Sequence, residues 1–298
     1  MATGDSGNFA GALADIIQAE AIQRFVTAGV FVNPLRPDTS LVSVFSEPRA
    51  DKISVPVWND GTNQVTSADV ASHSSGGTVS ETALDSTKRT YTLAMRAINL
   101  PLHDEAKWSN VDRPEIRLGQ HLGNALAADL DAQLAQKAHS FSNSVGTGSA
   151  EMKIDVLFDA MKTLRNNHAP GPYFYVGSTE QVWDKTYGLL EDFVNTSNFA
   201  GAPAQDEAIR NGYVGRLAGF DVLTTPEITG SVSASAPNAD AIAGNKECLA
   251  FAWSGDDLIR VEEEREGSKL KSSWVGSYFG AAGVLTDNYG VRVISRIS

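Results

Sequence analysis

Cysteine and basic charge are both scarce in this sequence of 298 residues. Its single cysteine, Cys248, cannot form an intramolecular disulfide, and its apolar neighbours at 249–251 predict a buried, inert thiol. The 24 Lys and Arg are outnumbered by 36 Asp and Glu, which gives a formal net charge of -12. Since DNA binding draws on Lys and Arg that neutralise phosphates, this charge argues against tight non-specific DNA binding and is typical of a soluble protein.

Long hydrophobic runs are also missing. No stretch approaches the roughly 18 consecutive apolar residues of a membrane-spanning helix, and the first residues lack the basic and apolar regions of a signal peptide. The apolar fraction of 42% is still enough for a core, and the length suits one large domain or two lobes. We therefore expect a protein that is made in the cytoplasm and has no membrane segment.

Motifs that carry chemistry are absent as well. Residues 211–222 (NGYVGRLAGFDV) hold three glycines, but the spacing Gly-x-x-Gly-x-x-x-Gly fits neither a Walker loop nor a dinucleotide fingerprint. A strand pattern follows them, so no helix N-terminus is available for a phosphate. The five histidines lack metal-ligand spacing, and His103-Asp104-Glu105 is typical of a solvated turn. The sequence therefore predicts no cofactor and no metal site.

Two further features resemble catalytic groups only superficially. Ser178 follows a predicted strand and opens a helix, as some nucleophiles do, but Gln181 three residues later gives it the pattern of a capping serine. The consecutive carboxylates at 262–264 point to alternate faces of a strand and cannot all converge on one ion. A polar strand edge or a subunit contact explains them. We predict that the chain is not an enzyme.

Apolar periodicity predicts a mixed α+β fold. Helices are expected at 10–28, at 112–139 with a leucine every four residues from Leu118 to Leu134, and from 154 to about 164. Asp112 and Glu115 have the spacing of a capping box at the start of the long helix. Strands are expected at 173–176, 220–226, 248–253, 257–262, 275–285 and 290–297.

Residues 49–105 have an unusual composition. Alternating apolar patterns at 53–57 and 91–97 enclose about three dozen residues rich in Ser, Thr, Gly, Asp and Asn. Such a segment cannot bury enough surface to offset the entropy of ordering it. We expect a long two-stranded arm that is ordered against another subunit; a disordered surface insertion is the alternative. The predicted inter-subunit contacts are Ile16, Ile17, Phe25, Ile53, Val55, Val57, Trp58, Tyr91, Leu93 and Met95.

The order of these parts resembles the major capsid proteins of tailed bacteriophages, the Hong Kong 97-like fold, which encapsulin nanocompartments share. The local match is a turn motif of two glycines, an aromatic residue, a valine and a later proline. Its members here are Gly215, Gly219, Phe220, Val222 and Pro226. Residues 173–178, followed by a helix that contains Trp183, are similar to the strand and helix that precede the motif in the axial lobe.

The resemblance implies a division of the whole chain. Residues 1–48 correspond to the N-terminal arm and 49–105 to the long two-stranded extended loop. Residues 106–149 correspond to a peripheral lobe with the spine helix at 112–139, and 150–255 to an α/β axial lobe. Residues 256–298 are expected to return as strands to both lobes.

The resemblance also implies a function. The chain would be a major capsid protein that self-assembles, as hexamers and pentamers, into an icosahedral head shell around a double-stranded DNA phage genome. A separate scaffolding protein, a portal and, as an optional partner, a decoration protein are implied, with assembly in the host cytoplasm and residence in the virion. An encapsulin-like cellular container is the alternative, and a serine hydrolase built on Ser178 is a remote one. No local motif assigns a crosslinking lysine.

Overall fold

The computed structural model describes residues 6–33, 37–58, 70, 86–105, 114–190, 215–228, 237–254 and 258–297. The chain divides into two compact units, each assembled from three separate segments. The first unit comprises Met1–Ile53, Thr92–Leu134 and Phe251–Ala282. The second unit comprises Ser54–Tyr91, Ala135–Ala250 and Gly283–Ser298. Helices and sheets occur in the chain together, so the predicted mixed α+β class is confirmed.

A five-stranded sheet runs mainly through the first unit. Its strands are β1 (Ser43–Ser46), β4 (Ala94–His103), β10 (Leu249–Trp253), β11 (Arg260–Glu266) and β12 (Lys271–Val284). The order is β1-β10-β12-β11, and β4 also pairs with β12, antiparallel and with Met95 opposite Phe279. The sequence placed residues 91–97 in a single strand of the arm. The structure instead breaks the strand at Leu93, and Met95 lies in this sheet rather than in the arm.

Two long helices of the first unit pack closely because glycine residues lie at their contact. Helix α1 covers Ser6–Ala28 and helix α2 covers Pro114–Gln136. A Cβ atom added at Gly119 would lie 2.8 Å from the carbonyl oxygen of Ile17, and one at Gly123 would lie 2.3 Å from that of Ala21. These glycines therefore let the α2 backbone approach α1, whose inner residues are fully buried.

The chain that leaves α1 is fastened to α2 by a buried carboxylate. Asp131 accepts hydrogen bonds from the backbone N–H groups of Val30, at 2.8 Å, and Phe31, at 3.2 Å. Gln120 also donates to Glu20 at 2.9 Å. The first helix therefore has a hydrogen-bonded and apolar attachment within its own unit, whereas the sequence suggested an arm without a core.

A six-stranded sheet forms the centre of the second unit. Its order is β5-β13-β9-β6-β8-β7, and α3 (Ile154–Asn166) covers part of it with five buried apolar residues. The strands are β5 (Ser144–Gly146), β6 (Tyr173–Gly177), β7 (Arg216–Leu217), β8 (Phe220–Thr224), β9 (Asn238–Asn245) and β13 (Gly290–Arg296). Strand β9 is central and buried along almost its whole length. This strand was not predicted from the sequence, because its alanines and glycine have low strand propensity.

Two strands at the base of the predicted arm form a separate sheet. Strand β2 covers Lys52–Val57 and β3 covers Thr87–Thr92, with the hydroxyl oxygens of Ser54 and Thr90 3.0 Å apart. Two paired strands are therefore confirmed here, but the second begins four residues before the predicted pattern at 91–97. Residues 59–69 and 71–85 of the predicted arm lie outside the described residues.

Most of the remaining predicted elements are present with shifted ends. The long helix ends at Gln136 and continues as a 3-10 turn, Lys137–Ser140, while Asp112 lies outside the described residues. The strand expected at 257–262 is β11, three to four residues further along the chain. Among the helices that the structure describes, none combines the length and the apolar character needed to cross a membrane.

Candidate subunit-contact surfaces

The predicted turn motif forms a two-residue hairpin between β7 and β8. Ala218 and Gly219, the two loop residues, both have positive φ, 50° and 90°, which is typical of a type I′ turn. Gly215 has a φ of 60°, and its carbonyl accepts a hydrogen bond from the N–H of Val222 at 2.9 Å. The first glycine of the 211–222 stretch, Gly212, lies outside the described residues.

The residues after the turn hold it against the sheet. Phe220 is fully buried and its ring lies 6.0 Å, centroid to centroid, from that of Tyr173. Val222 is only half-buried, and Pro226 is exposed in a turn after β8. Because a strand follows the glycines, the geometry at this point is that of a structural hairpin, as the sequence analysis expected, and not of a phosphate cradle.

Six of the ten predicted inter-subunit contacts have side chains that the chain itself covers. Each of the six is less than 9% exposed: Ile17, Phe25, Ile53, Val57, Tyr91 and Leu93. Tyr91 illustrates the reason, because its hydroxyl donates to the carbonyl oxygen of Val284 at 3.1 Å. Its ring also lies against Gly283, where an added Cβ would come within 2.5 Å of it. These six side chains serve packing within the chain.

The other four predicted contacts remain accessible. Ile16 and Trp58 are about half exposed, Met95 is 70% exposed and Val55 is half-buried. The structure adds two large exposed apolar residues in well-defined elements that the sequence analysis missed, Phe158 on α3 and Leu270 beside β12. Phe158 follows the apolar pattern of a buried helix face, and Leu270 stands alone in a turn. Neither pattern predicts an exposed apolar side chain.

The acidic run is a polar strand edge, as predicted. Residues Glu262, Glu263 and Glu264 lie exposed in β11, the last strand in the order of its sheet. Arg260 pairs with Glu262 at 2.7 Å. Charged side chains on an edge strand discourage unwanted pairing with other chains.

The candidate nucleophile is a helix cap. The Oγ of Ser178 accepts a hydrogen bond from the N–H of Gln181 at 3.0 Å, and the side chain of Gln181 accepts one from the N–H of Ser178. This capping box opens α4 (Thr179–Trp183) and confirms the predicted local structure. Cys248 is fully enclosed, which confirms the predicted burial, and this burial raises the pKa of its thiol.

An ion cluster around the buried carboxylate of Asp240 in the second unit was not predicted. One oxygen of Asp240, Oδ2, accepts a hydrogen bond from Arg292 at 2.7 Å and lies 2.9 Å from Nδ1 of His139. These residues are far apart in sequence, so no local pattern could have identified them. In the part of the chain that the structure describes, no group of three or more His, Cys, Asp or Glu side chains could hold a metal ion.

Comparison with known proteins gives matches in structure but not in sequence. No protein-family model and no curated protein matches the sequence. The capsid of cyanophage P-SCSP1u is similar with a TM-score of 0.61 and 15% identity, over 87% of both chains. The head structure of Helicobacter pylori bacteriophage KHP40 gives a TM-score of 0.61 and 10% identity, over 87% of this chain and 88% of that one.

A third similar structure is a virus-like particle from Pyrococcus furiosus. It has a TM-score of 0.57 and 9% identity, and it covers 94% of this chain and 98% of its own. At these identities the likeness establishes the fold. The chain has the Hong Kong 97-like fold of tailed-phage capsid proteins, and the fold predicted from its sequence is confirmed.

Proposed function

We propose that the chain is a major capsid protein, which self-assembles into the icosahedral head shell of a tailed bacteriophage around double-stranded DNA. The observation that carries the proposal is the likeness to a phage capsid over 87% of both chains. Large apolar side chains that stay exposed, such as Trp58 and Met95, are expected where copies meet.

The same proposal assigns a role to each part of the chain. Residues 1–48 act as the N-arm, 49–105 as the extended loop, 106–149 as the peripheral lobe, 150–255 as the axial lobe and 256–298 as the returning strands. Hexamers and pentamers of the chain form the shell. Its proposed partners are a scaffolding protein, a portal and, optionally, a decoration protein, with assembly in the host cytoplasm.

The net charge of -12 supports a container for DNA rather than a DNA-binding protein. A wall that bound phosphates tightly would hinder movement of the packaged genome, whereas an acidic wall leaves it free. We also infer that the chain has no catalytic role. The hydroxyl of Ser178, the candidate nucleophile considered from the sequence, is buried and engaged in capping α4.

Electron microscopy of the full-length protein, produced with its scaffolding protein, tests the proposal. We expect closed icosahedral particles, and in phage-infected cells we expect these particles to protect double-stranded DNA from nuclease. A protein that stays a compact monomer under these conditions would refute the assignment.

An encapsulin-like cellular nanocompartment is the second candidate. It is favoured by the virus-like particle from Pyrococcus furiosus, which covers 94% of this chain. The two candidates differ in their contents, because a nanocompartment encloses an enzyme and a phage head encloses DNA. Purified particles that contain a protein cargo and no nuclease-protected DNA would decide for the nanocompartment.

A further inference from the structure

The turn between β11 and β12 exposes an apolar residue in a strained backbone conformation. Leu270 has a φ of 48° and a ψ of 45°, the left-handed region, and its side chain is 66% exposed. A residue with a Cβ is disfavoured in this region, which glycine and asparagine tolerate best. An exposed apolar side chain and a left-handed backbone are both unfavourable for leucine in an isolated subunit. A contact outside the subunit would explain why leucine occupies this position.

The residues around Leu270 hold it firmly in this position. Glu266 pairs with Lys269 at 2.6 Å and with Lys271 at 2.9 Å, and these contacts lower the pKa of the Glu266 carboxyl. The carbonyl oxygen of Leu270 accepts a hydrogen bond from the N–H of Asp104 at 2.9 Å. Ion pairs and a backbone hydrogen bond therefore flank Leu270 on both sides of the turn.

A second interaction fixes the base of the same turn. Both guanidinium Nη atoms of Arg265 donate to the carboxylate of Asp104, at 2.6 and 2.5 Å. Bidentate pairs of this kind restrict orientation as well as distance. An apolar side chain with polar groups at its rim is typical of protein interfaces, and a side chain that is already held in place loses less entropy on binding.

We propose that Leu270 is an anchor that packs against a second copy of this chain. The inference rests on the proposed function, because in a closed shell of identical subunits the contacting surfaces belong to copies of one chain.

Leu270→Gly separates this role from a purely structural one, because the two predict opposite effects. In the unassembled subunit the substitution relieves strain, and we expect the thermal midpoint to rise by about 1–3 °C. In assembly it removes the anchor, and we expect the protein concentration needed for shells to rise about tenfold. Leu270→Asn should behave likewise, and Leu270→Met, which keeps an apolar side chain, should assemble like the wild type.

Accessibility of the same position gives an independent measurement. Cys248, the sole cysteine, is fully buried, so the wild type provides an unreactive control and Leu270→Cys introduces one exposed thiol. We expect this thiol to react with maleimide at least about ten times faster in subunits than in shells. Normal assembly of Leu270→Gly, or equal thiol reactivity in both states, would overturn the anchor while leaving the capsid assignment intact. Failure of the wild type to form shells would instead overturn both.

Discussion

The contact between α1 and α2 allows a sharp test of the packing in the first unit. In Gly123→Ala, the new methyl carbon would lie 2.3 Å from the carbonyl oxygen of Ala21 and 2.8 Å from the Cβ of Arg24. Real Cβ atoms do not approach backbone oxygens so closely, and the backbone of α1 cannot rotate away as a side chain could. The two helices would have to separate by most of an ångström, which also disturbs the residues buried between them.

The expected magnitude follows from two opposing effects. Overpacking of a well-packed contact costs about 1–3 kcal/mol. Replacing glycine by alanine in a helix interior returns about 1 kcal/mol through propensity. Because the obstacle is backbone, we expect an overpacking cost of about 2–3 kcal/mol, which leaves a net loss of about 1–2 kcal/mol in the free energy of unfolding. Gly119→Ala should cost less, since its clash distance is 2.8 Å.

Asn124→Ala is the matched control, because Asn124 is the exposed neighbour of Gly123 on the same helix. It changes propensity without changing the helix contact, and we expect a gain of about 0.5 kcal/mol or less. Denaturant unfolding of unassembled subunits, followed by circular dichroism, measures all three variants. If Gly123→Ala proved as stable as Asn124→Ala, the close contact between α1 and α2 would be refuted.

Three other predictions concern hydroxyl groups. Tyr175→Phe should leave the free energy of unfolding unchanged or raise it by up to about 1 kcal/mol, because the buried hydroxyl has no hydrogen-bond partner among the described residues. A lower thermal midpoint for this variant would contradict the prediction. Ser178→Ala should cost about 1 kcal/mol through loss of the cap and leave shell formation intact in electron micrographs. Burial, partly offset by Arg89, raises the pKa of Tyr91 from 10.0 to about 12. The contribution of the neutral Tyr91 side chain to stability is therefore complete below pH 10.0 and is lost as the pH rises through about 12. Tyr91→Phe should therefore weaken the alkaline loss of stability, measured as unfolding free energy between pH 9 and pH 11; an unchanged slope would show that Tyr91 titrates normally.

The elements that could be predicted from the sequence are those with a strong local pattern. Three local patterns predicted their elements: the leucine row of α2, the alternation of β2 and the Ser178–Gln181 spacing. Each pattern arises from residues close together in the sequence. Strand β9 has no such pattern. Its alanines and glycine suit a strand buried on both faces between β13 and β6, and the need for small side chains arises only from those neighbours.

The same limit applies to the ion cluster of the second unit. Asp240, Arg292 and His139 come from two strands and the 3-10 turn after α2, and only the register of β9 and β13 brings them together. Arg292 faces Ile242 in that register, two residues along the strand from Asp240. A buried carboxylate needs such partners to offset the cost of its desolvation, but their separation in sequence conceals them.

The predicted inter-subunit contacts show what alternation can and cannot specify. Tyr91 and Met95 have the same parity in the predicted strand, so the sequence predicted that both contact another subunit from one face. The break at Leu93 places Tyr91 against Gly283, where its ring is covered, while Met95 is opposite Phe279 on a different strand pair and remains 70% exposed. A period of two identifies which residues share a face, but not whether the chain itself or another copy covers that face. The proposed function depends on contacts between copies of the chain. A side chain covered by the chain itself cannot make such a contact, so the side chains that stay exposed in the folded structure are the candidates for it.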